Sequence, residues 1–546
     1  MSSVTGDSFA NSVSPAMQST AATLYEAVPV DPTEKHISTH QSSFRFSTRG
    51  VAVRLFLTCW LIYGLHFATN TVREIFPALS LGDHLSFDVS EYAGLHPDIF
   101  EMPGRGVFIN SNPGASIVGA VPYVLARPLI DKVLERTQKA RANSPVTDIG
   151  VYNSPYPMAQ EFYKRSRELG YDVKFGLAAG VMQAFAMAPL SALSAVVMFY
   201  VLLGLKLPLR SALLLSLLYA FATPIFYRTA QLNQNLLVSH CAFFAFALLW
   251  RPWDTEDQPR RPAYFLAGLL CGWAVVLDYS GVVVPLVLGL YAIARRAQLP
   301  AKVKFRSDIW LFFIGLAICA IVLMGYQWSS FGHPLYPAQR YMPSTSFSHY
   351  GYNGMDRPHL DLLWDTAFGL RFGLFTSAPL LLLALFIPAW LKQRNRVTKN
   401  LETWCIVAFT VSFFVFSSAN QFGRLQFNSG VRYMVPVVPF MFLLIAGFLL
   451  RLPRPAAILI AVVSTYWSWC LAMYRDVELG LGVLEPLRHI TLEGPRLPWL
   501  TTLARMGYLP DSFSIIPLFI VVTAIIWLLW TIKPERYAQR VLVHRS

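Results

Sequence analysis

The sequence contains little charge for its length and no cysteine pattern of a metal or redox site. Only 14 % of the 546 residues are charged, whereas soluble domains carry roughly 25 %. All six cysteines lie within apolar segments, without paired spacing. A Walker A sequence, G-x-G-x-x-G after a strand and H-E-x-x-H are also absent. These absences argue against a soluble nucleotide-binding enzyme and against a zinc protease.

Apolar residues, in contrast, are abundant and are arranged in long runs. They make up 54 % of the chain, and the mean hydropathy is +0.44. Because a helix needs about 20 apolar residues to cross a bilayer, the runs predict an all-α polytopic membrane protein with about twelve transmembrane helices. The predicted spans are residues 51–69, 176–205, 209–225, 235–250, 263–277, 281–295, 308–326, 375–391, 402–418, 433–450, 455–473 and 513–532.

The distribution of positive charge predicts the orientation of these spans. The chain has 45 Lys and Arg against 31 Asp and Glu, a net charge of +14. Alternate loops are all basic, among them "KLPLR", "RPWDTEDQPRRP", "RRAQLPAKVKFR" and "KQRNRVTK". Since basic loops stay in the cytoplasm, we expect both termini to be cytoplasmic. We expect the protein itself to lie in the cell inner (cytoplasmic) membrane. The charge bias then indicates membrane topology rather than a nucleic-acid partner.

We therefore expect a disordered cytoplasmic tail at 1–48, which lacks the apolar stretch of a signal peptide, a transmembrane domain at 49–532 and a basic cytoplasmic tail at 533–546. Three long loops face outward, at 70–175, 326–374 and 474–511. Long loops in compact proteins are usually functional. In the first, "VREIFPALSLGDHLSFD" predicts a short surface helix, and "PMAQEFYKRSRELGYDVKF" a charged amphipathic helix. "GASIVGAVPYVLARPLI" predicts an interfacial or partly inserted helix that starts at Pro113-Gly114.

The outward loops combine carboxylates, arginines and aromatic rings. A carboxylate can take a proton from a hydroxyl, an arginine can hold a phosphate, and aromatic rings suit sugar faces. This combination favours sugar transfer from a lipid-linked phosphate, because no cytoplasmic loop is large enough for a nucleotide-sugar domain. The alternative is that the loops are simply hydrated and carry the usual interfacial aromatic belt.

Two stretches at the outer membrane edge are singled out. Asp278 ends the apolar run "WAVVLDYSG", where an acid is either functional or a helix-end group that reaches water. "FYRTAQLNQNLLVSH" brings Arg228, Asn233 and His240 to the same face. Its alternative is an outer turn with a helix cap at Asn235 and a locally hydrogen-bonded histidine.

An ordered series of motifs resembles the GT-C superfamily of polytopic glycosyltransferases, which includes protein O-mannosyltransferases and lipid A aminoarabinose transferases. "NTVREIFPALSLGDHLSFDVSEY" is similar to their surface helix, and "HPDIFEMPGRGVFINSNPGAS" to their "D…GxxYSxKxPG" element. "FATPIFYRTAQLNQNLLVSH", "AGLLCGWAVVLDYSG" and "NSGVRYMVPVVPF" resemble further motifs in the same order. The likeness covers most of residues 50–475.

The resemblance implies a helix bundle with outward loops around a lipid-phosphate cavity, a polyprenyl-phosphate sugar donor, inversion at the anomeric carbon and a carboxylate base in the first outward loop. Two departures stand out. Only Glu74 lies near the end of the first span, and Asn112 replaces the lysine before Pro-Gly. Phosphate neutralisation then moves to Arg105, Arg228 or Arg432.

The stretch "GRGVFINSNPGAS" is likewise interpreted as part of a phosphate site. Gly104 and Gly106 predict a tight turn with positive φ. The helix starting at Pro113-Gly114 would point free amide groups at phosphate, with Asn110 and Asn112 beside it. The alternative is an ordinary turn and helix start.

The expected base is Asp88 or Asp98, with Glu74 next. The expected substrate contacts are Arg73, Arg105, Asn110, Asn112, Arg228, Asn233, His240, Asp278, Arg432 and Tyr433. No metal ligands are assigned, although two carboxylates near a phosphate could hold a divalent ion. The expected partners are a polyprenyl-phosphate-linked sugar, a lipid, glycan or protein acceptor, and membrane lipids. The alternatives are a multi-pass transporter or flippase, which would favour short loops and repeated halves, and a non-catalytic envelope-assembly protein.

Overall fold

The computed structural model describes residues 46–69, 71–143, 152–154, 156–254, 261–298, 309–386, 398–426, 430–475, 482–510 and 513–532. Of the two predicted tails, only residues 46–48 fall within this part; the rest of the 1–48 tail and the 533–546 tail lie outside the described residues.

The described residues form α-helices and a single β-hairpin. The helices are α1 Thr48–Leu65, α2 Ile75–His84, α3 Gly114–Asn143, α4 Pro157–Glu168, α5 Asp172–Met182, α6 Ala188–Gly204, α7 Leu209–Phe221, α8 Pro224–Arg228, α9 Gln234–Trp250, α10 Arg261–Leu277, α11 Val283–Ala297, α12 Trp310–Phe331, α13 Leu360–Phe368, α14 Leu374–Ser377, α15 Asn400–Ala419, α16 Val438–Leu449, α17 Arg454–Met473, α18 Leu484–Glu493, α19 Pro498–Arg505 and α20 Ile516–Thr531. The hairpin pairs β1 Ile99–Met102 with β2 Gly106–Ile109.

Six of the described helical segments are long and apolar enough to cross a membrane. They are Thr48–Leu65, Asp172–Gly204, Tyr279–Ala297, Trp310–Phe331, Asn400–Ala419 and Arg454–Met473. Five shorter apolar helices complete the set: Leu209–Phe221, Gln234–Trp250, Arg261–Leu277, Val435–Leu449 and Ile516–Thr531. Together these match eleven of the twelve predicted segments. The prediction of an all-α polytopic membrane protein is thereby confirmed.

The twelfth predicted segment, 375–391, has a different structure. Its described part consists of α14 and a 3-10 turn at Pro379–Leu385. Residues 387–391 lie outside the described part. Proline lacks the backbone N–H that an α-helix needs, so Pro379 begins a new turn rather than continuing α14. A continuous apolar sequence was therefore not sufficient for a continuous helix.

Close backbone contact joins α10 to α12. A Cβ added at Gly268 would lie 2.0 Å from the carbonyl oxygen of Phe312, and one at Gly315 would lie 2.5 Å from that of Phe265. Gly272 similarly faces the Cβ of Cys319 at 2.6 Å. Small residues four positions apart let two helices approach closely inside a membrane, where packing rather than hydrophobicity holds them together.

The β-hairpin is anchored at the C-terminal ends of these two helices. Phe100 and Phe108 pack with Phe331, at the end of α12, at ring distances of 6.2 and 5.4 Å. Tyr341, from the second long loop, stacks on the same Phe331 ring at 5.5 Å. The hairpin turn has the predicted positive φ angles, +71° at Gly104 and +121° at Gly106. The segments that flank the hairpin are thus fixed at this end of the bundle.

The helices of the first long loop pack through one buried acid. Asp83 of α2 accepts hydrogen bonds from Lys174 at 2.8 Å and from the Tyr123 hydroxyl at 3.0 Å, and it forms an ion pair with Arg127 Nε at 3.1 Å. These partners belong to α3 and α5, so α2 is tied to both. The first loop is therefore folded over most of its length, as its apolar spacing predicted.

Helix α3 begins at the predicted position but is longer than expected. It starts at Gly114 and continues to Asn143, through both prolines of the apolar stretch. Val121, Leu125 and Leu129 are exposed on one side of its first half. Residues four apart share a helix face, so these side chains form an apolar stripe, as expected for a helix at a lipid surface.

Candidate functional site

Three charged residues of the first long loop form an acid–arginine cluster: Arg73, Glu74 and Asp98. Arg73 donates from Nε to Glu74 Oε1 at 2.9 Å and from Nη1 to Asp98 Oδ2 at 3.2 Å. Burial opposes the charge on Arg73, but the carboxylates of Glu74 and Asp98 outweigh burial and raise its pKa. The Glu74 side chain is only 3 % exposed, whereas that of Asp98 is 29 % exposed. Asp98 is therefore the accessible acid of the cluster.

His96 lies beside this cluster and was not anticipated from the sequence. Its Nδ1 accepts a hydrogen bond from the backbone N–H of Asp98 at 3.0 Å, so the proton of the neutral ring is on Nε2. Burial lowers the pKa of His96, Asp98 opposes this effect, and the positive charges of Arg73 and Arg432 add to it. The only sequence signal was the adjacency of His96 and Asp98 in "HPD".

Arg432 and Tyr433 bring a distant part of the chain to the same place. Arg432 is near enough to lower the pKa of His96, and Tyr433 lies near Arg73. Arg432 donates from Nε to Asn235 Oδ1 at 3.3 Å. Arg432, in the segment before α16, therefore contacts the start of α9 and lies close to the first loop.

Arg228, Arg432 and Arg475 form an arginine group. Arg228 is fully buried and donates to Val431 O at 2.7 Å and to Gly430 O. Burial lowers the pKa of Arg228 to about 9, Tyr227 opposes this effect, and the charges of Arg475 and Arg432 add to it. Arg475, which the sequence analysis missed, donates to Tyr227 O. Mutual repulsion of this kind makes the group favourable for an anion.

Asn233 and Asp278 act as caps. Asn233 Oδ1 accepts from the backbone N–H of Leu236 at 2.9 Å and caps α9; the sequence alternative had placed this cap at Asn235. Asp278 accepts from Ser280 N at 2.9 Å and from Gln234 Nε2 at 3.0 Å. Because Asn233 supplies the cap, Asn235 is available to Arg432.

Four other candidates of the sequence analysis make structural contacts. Asp88 accepts from the backbone N–H groups of Ser90 and Val107 at 2.9 and 3.2 Å. Arg105 donates to Trp328 O and Ser329 O, at the C-terminus of α12, at 3.4 Å each. Asn112 donates to Val275 O at 2.9 Å, and His240 pairs with Ser191 Oγ at 2.9 Å. Each of these side chains connects elements of the fold.

The N-terminus of α3 is packed against protein. A Cβ at Gly114 would lie 2.8 Å from the carbonyl group of Val276, near the end of α10. Asn110 differs from Asn112: its backbone N–H donates to Asp98 O at 3.0 Å, so Asn110 adjoins the acid–arginine cluster. Among the described residues, no three His, Cys, Asp or Glu side chains are grouped to hold a metal ion.

Replacing Asp88 with Ala is expected to destabilise the hairpin without removing the chemistry. The variant loses three hydrogen bonds to a carboxylate, from the backbone N–H groups of Ser90 and Val107 and from the Ser90 hydroxyl, each worth about 1 kcal/mol or more. Thermal unfolding of the purified protein measures this loss. The unfolding temperature of Asp88→Asn, which retains one acceptor oxygen, is expected to lie between those of the wild type and Asp88→Ala. An unchanged unfolding temperature with abolished activity would instead place Asp88 in the reaction.

Comparison with known proteins gives one similar structure. No family model matches the chain, and no curated protein matches it. The crystal structure of ArnT from Cupriavidus metallidurans bound to undecaprenyl phosphate aligns with 88 % of this chain and 76 % of its own, at 13 % identity and a TM-score of 0.42. Values this low carry no argument about this chain. The helices themselves show an all-α polytopic membrane protein.

Proposed function

We propose that this chain is a membrane glycosyltransferase that moves a sugar from a polyprenyl-phosphate donor to a lipid, glycan or protein acceptor. One observation carries the proposal: an accessible carboxylate, Asp98, is held by Arg73 close to Arg432, which belongs to a separate arginine group. A base and an anion site in proximity are the two elements that glycosyl transfer from a phosphate requires.

Asp98 is assigned as the base. Its carboxylate is oriented by Arg73 and is the more exposed of the two acids in the cluster. It takes the proton of the acceptor hydroxyl as the hydroxyl oxygen attacks the anomeric carbon. Glu74, which is buried against Arg73, is a positioning residue that balances the arginine charge.

The arginine group is assigned to the phosphate. As the new bond forms on one side of the anomeric carbon, the carbon–oxygen bond to phosphate breaks on the other, and its electron pair leaves with the phosphate. Negative charge therefore grows on the phosphate oxygens, where fixed guanidinium groups lower the barrier most. This direct displacement inverts the anomeric carbon, in agreement with what the sequence resemblance implies.

The site is assigned to the extracytoplasmic face of the cell inner membrane, with both termini in the cytoplasm. The basic loops "KLPLR" and "RPWDTEDQPRRP" connect the opposite ends of the same helices. A donor carried on a lipid reaches this face without a nucleotide-sugar domain. Labelling of single cysteines introduced at exposed positions of α4 and of "KLPLR", with a membrane-impermeant reagent on intact cells, tests this orientation.

Sugar transfer by the purified protein tests the function directly. The protein in detergent is supplied with polyprenyl phosphates that carry different labelled sugars, together with a membrane extract as the source of acceptor. Release of free polyprenyl phosphate together with a labelled product supports the proposal. If wild-type protein neither binds polyprenyl phosphate nor transfers any sugar, the proposal is wrong and a transporter or assembly role is favoured.

Replacing Arg432 with Gln is expected to slow transfer by about 100-fold, which is typical for loss of one donor to a developing negative charge. Initial rates at saturating donor measure the effect. Arg454→Gln is the matched control, because Arg454 is exposed at the start of α17 and is expected to retain the full rate. Equal rates for the two variants would remove Arg432 from the site.

A further inference from the structure

Three buried amide side chains, which we term the amide set, adjoin the acid–arginine cluster or the arginine group: Asn110, Gln234 and Asn235. They are 7 %, 3 % and 0 % exposed, respectively. Each has one buried polar atom without a hydrogen-bond partner in the described part of the chain. The atoms are Asn110 Oδ1, Gln234 Oε1 and Asn235 Nδ2.

The partnered half of each amide fixes which atom remains. Gln234 donates from Nε2 to the Asp278 carboxylate at 3.0 Å, so its oxygen is left over. Arg432 can only donate, and it donates to Asn235 Oδ1 at 3.3 Å, so the Asn235 nitrogen is left over. Asn110 donates from Nδ2 to Met342 Sδ at 2.9 Å, which again leaves an oxygen. Buried polar atoms are nearly always satisfied, so these atoms are available to a bound group.

The chemistry of the unpartnered atoms restricts that group. Two of them are carbonyl oxygens, which need hydrogen-bond donors, and a phosphate ester offers only acceptors. An ammonium group only donates, so it would leave Asn235 Nδ2 without an acceptor. Uncharged hydroxyl groups, which donate and accept, fit both the oxygens and the single nitrogen.

We infer that the amide set binds the hydroxyl groups of an uncharged sugar attached to the donor phosphate. The inference rests on the proposed function and specifies its substrate class. Asn235 links the amide set to Arg432, which is assigned to the phosphate, so hydroxyl-binding and phosphate-binding groups are adjacent. Phosphate and sugar are adjacent in the same way in a glycosyl phosphate.

Lipid binding to the full-length protein in nanodiscs tests the inference. The probes are a polyprenyl phosphate without sugar and the same lipid carrying an uncharged hexose. Wild-type protein is expected to bind the hexose-bearing lipid about 10-fold more tightly, which corresponds to one or two net hydrogen bonds. Gln234→Met is expected to lose about 10-fold for the hexose-bearing lipid and less than about 2-fold for the sugar-free lipid.

Gln138→Met is the matched control, since Gln138 is exposed on α3, and it is expected to bind both lipids like wild type. A series of monodeoxy hexoses on wild-type protein gives the same information without any substitution: removal of at least one hydroxyl is expected to weaken binding. Equal losses of both lipids in Gln234→Met, or a flat deoxy series, would overturn the inference while the proposed function stands. Failure of wild type to bind even the sugar-free lipid would overturn both.

Discussion

Replacing Asp98 with Asn is expected to reduce sugar transfer by about 100-fold or more, because loss of a general base usually costs that much. Asparagine has nearly the same shape and retains an oxygen for the 3.2 Å hydrogen bond from Arg73, so the loop is expected to stay folded. The amide of the new asparagine, unlike the Asp98 carboxylate, cannot take a proton from the acceptor hydroxyl. The measurement is the initial rate with a hexose-bearing polyprenyl phosphate, compared with lipid binding by the same preparation.

Binding separates a chemical defect from a structural one. The variant is expected to bind the donor lipid nearly as tightly as wild type while it turns over slowly. Asp131→Asn is the control, since Asp131 is an exposed acid on α3 of the same loop. A fully active Asp98→Asn protein would rule out Asp98 as the base, and Glu74 and Asp88 would then be substituted in the same way.

Replacing Gly268 with Leu is expected to prevent assembly of the helix bundle. The added Cβ would lie 2.0 Å from the Phe312 carbonyl oxygen, and because this contact is backbone, α10 and α12 must move apart. The loss is expected to exceed the roughly 1–3 kcal/mol of an ordinary point substitution. The yield of monodisperse protein in mild detergent, measured by size-exclusion chromatography, reports the effect.

Gly325→Leu is the matched control for this substitution. Gly325 is on α12, the helix that Gly268 of α10 packs against, but nothing lies within 4 Å of a Cβ added there. We expect this variant to be produced at the wild-type level. Similar yields for the two variants would show that the close approach of α10 and α12 is not needed for folding.

The helices could be predicted well from the sequence because their signal is an average over many residues. A run of apolar side chains tolerates errors at single positions, so eleven predicted segments correspond to observed apolar helices. The failure at 375–391 came from one residue, Pro379, whose effect on the backbone a hydropathy average does not capture. The length of α3 was missed for a related reason: its second half is charged and carries no apolar signal.

The candidate site was less accessible to sequence reasoning, because it depends on partners far apart in the chain. Asp88 and Asp98 look alike in the sequence, and only their contacts, two backbone N–H groups for one and Arg73 for the other, distinguish them. Arg475 lies beyond the last of the resembling motifs, which ends at Phe440, and gave no signal of its own. The alternative interpretation placed the cap at Asn235 rather than Asn233 because caps and the residues near them have the same composition.

The net charge of the acid–arginine cluster would change during the proposed reaction. With Glu74 and Asp98 ionised and Arg73 charged, the cluster has one net negative charge at rest. In the proposed reaction, uptake of one proton by Asp98 brings the sum to zero, so the state that follows deprotonation of an acceptor costs less in a poorly hydrated place than the state before it. Over the same proposed step the arginine group would receive negative charge, and both regions would move toward neutrality together.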